Sequence, residues 1–130
     1  MAQGKILIVD DDPDITEAMK LVLENEGYNV DSAKDGDAAM VQIRSNKPDL
    51  IILDVMMNRP QEGFDLSRHL KKNEQYKAIP ILMLTAVKEK TGIDFKSAAG
   101  DEEWLPVEDY VDKPVKPDVL LEKVGALLKK

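Results

Sequence analysis

Short runs of uninterrupted apolar residues alternate along the chain with longer segments whose apolar positions recur every three or four residues. Lys5-Ile-Leu-Ile-Val-Asp10, Asp49-Leu-Ile-Ile-Leu-Asp54 and Ile79-Pro-Ile-Leu-Met-Leu-Thr85 carry no polar alternation. Each reads as a strand buried on both faces. Tyr28 to Ala33 is a weaker strand, and Asp109 to Val111 a short one. Between them the period is helical. Asp12-Pro13 supplies a capping carboxylate and a proline for a first turn, Ile15, Ala18, Met19, Val22 and Leu23 share one face, and Gly27 stands where a left-handed C-terminal residue is wanted. Further helices are predicted over Asp37 to Asn46, over Phe64 to Asn73, and after Lys116-Pro117, where Leu120, Val124, Leu127 and Leu128 align. Lys88 to Val107 fits no clean period, and a short or irregular helix is expected there.

Five strands alternating with helices predict a doubly wound parallel α/β sheet covered by helices on both faces. The 130 residues suffice for one domain, read as 1–130, with a core of its own. Composition then removes whole classes of function. With 43% hydrophobic and 33% charged residues the chain is neither disordered nor membrane-spanning, and its longest largely apolar stretch, Ile79 to Val87, falls far short of a bilayer. The absence of cysteine excludes disulfides, thiolate metal sites and cysteine nucleophiles. Eighteen basic against 25 acidic residues give a net charge of −7 with no basic block, which argues against nucleic acid and anionic membranes as partners. No signal peptide is evident, and a cytoplasmic location is expected.

In doubly wound sheets the working site lies at the carboxyl ends of the strands. There the sequence places Asp10 and Asp11 after the first strand, Asp54 at the end of the third, Thr85 at the end of the fourth and Lys113 just past the fifth. Gathered carboxylates repel, by about 4 kcal/mol for two unit charges ~4 Å apart at an effective dielectric near 20. Oxygen-only ligands call for a hard cation such as Mg²⁺. A metal and a lysine to neutralise oxygens, a hydroxyl to donate and a carboxylate to attack are together what a phosphoryl group needs. Any one of these aspartates could be only a cap or turn residue, as Asp12 is expected to be; the set is much harder to dismiss.

These residues resemble the receiver domains of two-component response regulators over essentially the whole chain. Ile6-Leu-Ile-Val-Asp-Asp-Asp-Pro13 is similar to the family's opening strand and acidic pair, and Pro48-Asp-Leu-Ile-Ile-Leu-Asp-Val-Met-Met57 to its phosphoacceptor strand. Leu84-Thr-Ala86 is similar to its switch strand, and Tyr110-Val-Asp-Lys-Pro114 to its lysine motif. The resemblance implies a flavodoxin-like sheet of order 2-1-3-4-5. It implies Asp54 as phosphoacceptor, with a histidine kinase or phosphotransfer protein as donor and Mg²⁺ held directly by Asp11, Asp54 and the carbonyl of Met56 and mostly through water by Asp10. Thr85 and Lys113 would contact the phosphoryl group, and Thr85 and Tyr110 would form the switch that alters a face for a downstream protein target. Such a module catalyses only its own phosphorylation and dephosphorylation and is not an enzyme acting on a metabolite. The chain as given is read as a stand-alone receiver whose output passes through another protein.

Two departures from the family pattern stand out. Met57-Asn-Arg-Pro-Gln-Glu-Gly63 displaces a proline and reads as a longer loop beside the pocket. Thr85 and Lys113 are 113 − 85 = 28 positions apart, more than usual, and Thr91 to Val107 replaces the fourth-helix pattern. Trp104 in that segment is either folded over the sheet with Leu105 and Val107 or an exposed anchor for a partner. Met56 and Val87, two after Asp54 and Thr85, resemble the positions that tune dephosphorylation in the family. Both are apolar and cannot orient a water, so the resemblance implies slow self-dephosphorylation, the alternative being ordinary loop packing. His69 and the cluster Arg68, Lys71 and Lys72 read as a solvated face. Two other functions remain: a degenerate receiver used only for docking, and an aspartate-nucleophile phosphatase. A flavodoxin-like nucleotide or flavin binder would need a phosphate cradle where Asp10-Asp11-Asp12 stand.

Overall fold

A computed structural model of the chain describes residues 4–54, 60–85, 109–112 and 116–128. Its elements run β1 (Lys5–Val9), α1 (Pro13–Asn25), β2 (Asn29–Ala33), α2 (Gly36–Ser45), β3 (Leu50–Asp54), α3 (Pro60–Lys72), β4 (Ile81–Thr85), β5 (Asp109–Asp112) and α4 (Pro117–Leu128). The strands form one parallel sheet in the order β2-β1-β3-β4-β5. This is the doubly wound parallel α/β sheet expected from the apolar runs, in the flavodoxin-like order that the family resemblance implies.

Why those runs lack polar alternation is visible in the core. Side chains alternate across a strand, and here each parity meets its own helices. Leu7, Val9, Ile51, Leu53, Ile81 and Met83 pack with Ala39 and Ile43 of α2 and Leu66 and Leu70 of α3. Ile6, Ile8, Leu50, Ile52, Leu82 and Leu84 pack with Met19 and Leu23 of α1 and Leu120, Val124 and Leu127 of α4. Both faces of β1, β3 and β4 are therefore buried, at roughly 1.5–3 kcal/mol for each fully buried aliphatic side chain.

The helix ends follow local chemistry. Asp12 Oδ1 accepts from the N–H groups of Asp14 and Ile15, with Pro13 opening α1. At the other end Gly27 has φ of 95°, Tyr28 N donates to Leu23 O (3.2 Å) and Gly27 N to Glu24 O (3.0 Å), while Tyr28 packs into the core that holds Leu23. That is a Schellman closure with its apolar contact. Asp35 caps α2 through Ala38 N at 2.8 Å.

Three expectations need correction. α3 begins at Pro60, not Phe64, because a proline lacks only the N–H that a first helical turn leaves unused. Residues 60–63 thus belong to the helix and do not lengthen the preceding loop. β4 begins at Ile81; Ile79 and Pro80 precede it, with Ile79 N bonded to Tyr76 O and its side chain in the core. Lys71 is not simply solvated: its ammonium donates to the carbonyls of Lys77 (3.3 Å) and Ile79 (3.0 Å) and ties down the turn between α3 and β4. His69 is exposed, as expected. Lys88 to Val107, with Trp104, lies outside the described residues. Among the described residues, no helix is long and apolar enough to cross a membrane.

Candidate functional site

The pairing of β1 with β3 builds the site. Parallel register sets Ile6 beside Leu50 and Val9 beside Leu53, so the next residues along the two strands are Asp10 and Asp54. Adjacent strands lie about 4.8 Å apart, and the two carboxylates are neighbours by construction. Asp10 extends the line of β1, its N–H donating to Ala33 O of β2 at 3.1 Å. Asp11 follows at the surface. One carboxylate oxygen from each of Asp10, Asp11 and Asp54 lies within 4.8 Å of the others. Asp10 is 3% exposed and Asp54 1%, whereas Asp11 is exposed. Two of the three carboxylates are therefore withdrawn from water, and the third is exposed to it.

The loop after β1 orients this cluster. Asp12 N donates to Asp10 Oδ1 at 2.9 Å, while the Asp12 side chain caps α1. Reading the sequence identified the cap and missed the bond to Asp10. The Asp12-Pro13 pair signals a helix start, but nothing in it shows that the same residue's amide turns back to the strand end.

Of the other expected residues, Thr85 closes β4, one position beyond Leu84, the partner of Asp54. Tyr110 lies in β5 at the position paired with Met83, and Asp112 pairs with Thr85. Thr85 thus stands at the same edge of the sheet as the aspartates. Met56, Val87 and Lys113 lie outside the described residues.

The donor set fits a divalent cation. Three carboxylates offer oxygen alone, which suits Mg²⁺, Ca²⁺ or Mn²⁺ over softer ions. At these separations each like-charged pair costs about 3–4 kcal/mol at an effective dielectric near 20, which a dication would relieve. A buried carboxylate so compensated can also attack an electrophile.

Comparison with known proteins decides which chemistry this is. The response regulator receiver domain profile matches residues 6–125. The chain belongs to the response regulator receiver domain family. It is 38% identical over 126 residues to the alkaline phosphatase synthesis transcriptional regulatory protein PhoP of Bacillus subtilis, covering 97% of this chain and 49% of that protein. Among solved structures, a response regulator from Chloroflexus aurantiacus superposes with a TM-score of 0.84 at 36% identity, covering 98% of both chains. The chemotaxis response regulator CheY4 of Vibrio cholerae gives 0.77 at 32% identity, again over 98% of both. The chain spans about half the length of the curated relatives it matches. In this receiver domain the three aspartates form the acidic pocket, and the family match favours signalling over a phosphatase or a flavin binder.

Proposed function

We propose that residues 1–130 work as one phosphoacceptor unit in which Asp54 takes a phosphoryl group from a phosphohistidine of a histidine kinase or phosphotransfer protein. An Asp54 carboxylate oxygen attacks phosphorus, the phosphorus–nitrogen bond breaks, and the imidazole leaves with the bonding pair. Mg²⁺ would be held by Asp10, Asp11, Asp54 and the Met56 carbonyl, and when bound it neutralises the carboxylates and the incoming phosphoryl oxygens. Thr85 donates its hydroxyl to a phosphoryl oxygen and Lys113 pairs with another. The observation that carries this reading is the convergence of Asp10, Asp11 and Asp54, two of them buried, at the carboxyl end of a receiver sheet.

Phosphorylation replaces a charge of −1 with roughly −1.5 to −2 and adds acceptor oxygens beside Thr85. Thr85 and Tyr110, on adjacent strands, then shift between two arrangements and alter the face that a downstream protein reads. The domain catalyses its own phosphorylation and dephosphorylation, turns over no metabolite and works in the cytoplasm. Apolar Met56 and Val87 make the phosphorylated form long-lived.

Incubation with acetyl phosphate and Mg²⁺, followed by intact mass, tests the proposal. Wild type should gain one phosphoryl group and Asp54→Asn none; an unmodified wild type rejects it. NMR with an aspartyl-phosphate mimic tests the switch, which fails if the Tyr110 environment stays unchanged.

A further inference from the structure

Three like charges within 4.8 Å push one another apart, so their convergence has to be imposed by the chain around them. For Asp54 the strand itself does this. Asp10 lies beyond the last residue of β1 and is held differently: its N–H is bonded to Ala33 O, and its Oδ1 accepts from Asp12 N at 2.9 Å. A bond from an amide to an ionised carboxylate is among the stronger hydrogen bonds, and it fixes the direction in which the carboxylate faces.

Asp12 is in turn fixed at three points. Its Oδ1 accepts from Asp14 N (2.9 Å) and Ile15 N (3.3 Å), its carbonyl accepts from Thr16 N (3.1 Å), and its backbone is extended, with φ of −92° and ψ of 109°. Helix α1 therefore holds Asp12, and Asp12 holds Asp10. We infer that Asp12 is a positioning residue for the carboxylate cluster: by capping α1 it locks the backbone whose N–H presents Asp10 to a divalent cation in a preset orientation. The inference rests on the metal-assisted phosphoacceptor reading above. A site ordered before binding loses less freedom when the cation arrives, and affinity gains accordingly.

Removing the Asp12 carboxylate also removes a negative charge near the cation, so charge and cap have to be separated. Asp12→Ser and Asp12→Asn keep a capping oxygen, Asp12→Ala does not, and all three make the same change in charge. Mn²⁺ is the probe, its affinity measured from the free ion by electron paramagnetic resonance, alongside thermal melting in EDTA. Asp12→Ser and Asp12→Asn should bind Mn²⁺ alike, and Asp12→Ala more weakly than either, by at most roughly fivefold, the ratio reached when the whole of a typical cap's ~1 kcal/mol goes into ordering Asp10 for the cation. Equal affinities in all three, with only the Asp12→Ala melting temperature lowered, would reduce Asp12 to a cap and overturn the inference. Should Asp12→Ala not fold, Asp12→Gly replaces it, since glycine is tolerated at helix caps but frees the backbone; it too should bind Mn²⁺ more weakly than Asp12→Ser, and equality would again overturn the inference. A wild type that neither binds Mn²⁺ nor gains a phosphoryl group from acetyl phosphate would bring down the phosphoacceptor reading itself. A wild type that does both leaves the comparison among substitutions to judge Asp12 alone.

Discussion

At the amino end of the sheet Lys5 and Asp49 answer each other: Lys5 N donates to Asp49 Oδ2 at 2.9 Å, Asp49 N donates to Lys5 O at 2.7 Å, and the Lys5 ammonium reaches Asn46 Oδ1. At the carboxyl end the same two strands, β1 and β3, deliver Asp10 and Asp54 side by side and Asp11 with them. One end pairs donors with acceptors across 44 residues of chain; the other gathers like charges and buries two of them. Both ends stand on the same apolar core, so the difference is not one of packing. The amino end contributes stability through its own pairs, whereas the gathered carboxylates make the stability of the carboxyl end sensitive to a bound cation. In a domain whose net stability is about 5–15 kcal/mol, that dependence is large enough to measure.

The largest effect that could break this contrast is metal-linked stabilisation. Mg²⁺ at a hundred times its dissociation constant should stabilise wild type by about 2.7 kcal/mol, read as a rise in melting temperature over the same sample in EDTA. No rise would mean that the carboxyl end is as self-sufficient as the amino end. Next in size is relief of the repulsion. In EDTA, Asp54→Asn should be more stable than wild type by about 1–2 kcal/mol, part of the 3–4 kcal/mol per pair being offset because the buried amide must find partners of its own. Urea denaturation measures it. A destabilised Asp54→Asn would show that the chain already compensates Asp54 without a cation.

Much of this contrast could be read from the sequence, and the reasons differ by residue. The uninterrupted runs of β1, β3 and β4 signal burial on both faces because each strand parity has its own core to fill. Asp12 as cap and Gly27 at positive φ are local rules, each settled within one turn of helix. The start of α3 at Pro60 was hidden because Asn58-Arg59-Pro60 has the composition of a loop, and a proline at a first helical position looks the same as a proline in a turn. The Lys5–Asp49 pair and the bond from Asp12 N to Asp10 had no local signature at all. Both require knowing which strand lies beside which and how the chain turns back. Of the site, the three aspartates were legible because parallel strands align their ends. Met56, Val87, Trp104 and Lys113 fall outside the described residues; the expected roles of Met56, Val87 and Lys113 rest on the family resemblance, and that of Trp104 on its apolar surface alone.

Two smaller effects sharpen the contrast. Asp49→Ala removes the acceptor for Lys5 N and should cost about 1 kcal/mol, with Asp49→Asn costing less and Mg²⁺ affinity the same in both. A change in Mg²⁺ affinity would mean that the two ends are coupled through β1 and β3. The smallest concerns Thr16, on α1 one turn past Asp12, whose buried Oγ1 has no hydrogen-bond partner among the described residues. A buried hydroxyl of this kind gives up its bonds to water without replacement, and valine has the same branched shape without that loss. Helix propensity barely separates the two residues, so desolvation decides the sign. Thr16→Val should be stabilising by about 0.5 kcal/mol in urea, well below the effect of metal and in the same direction as Asp54→Asn. A loss of stability instead would place a partner on that hydroxyl.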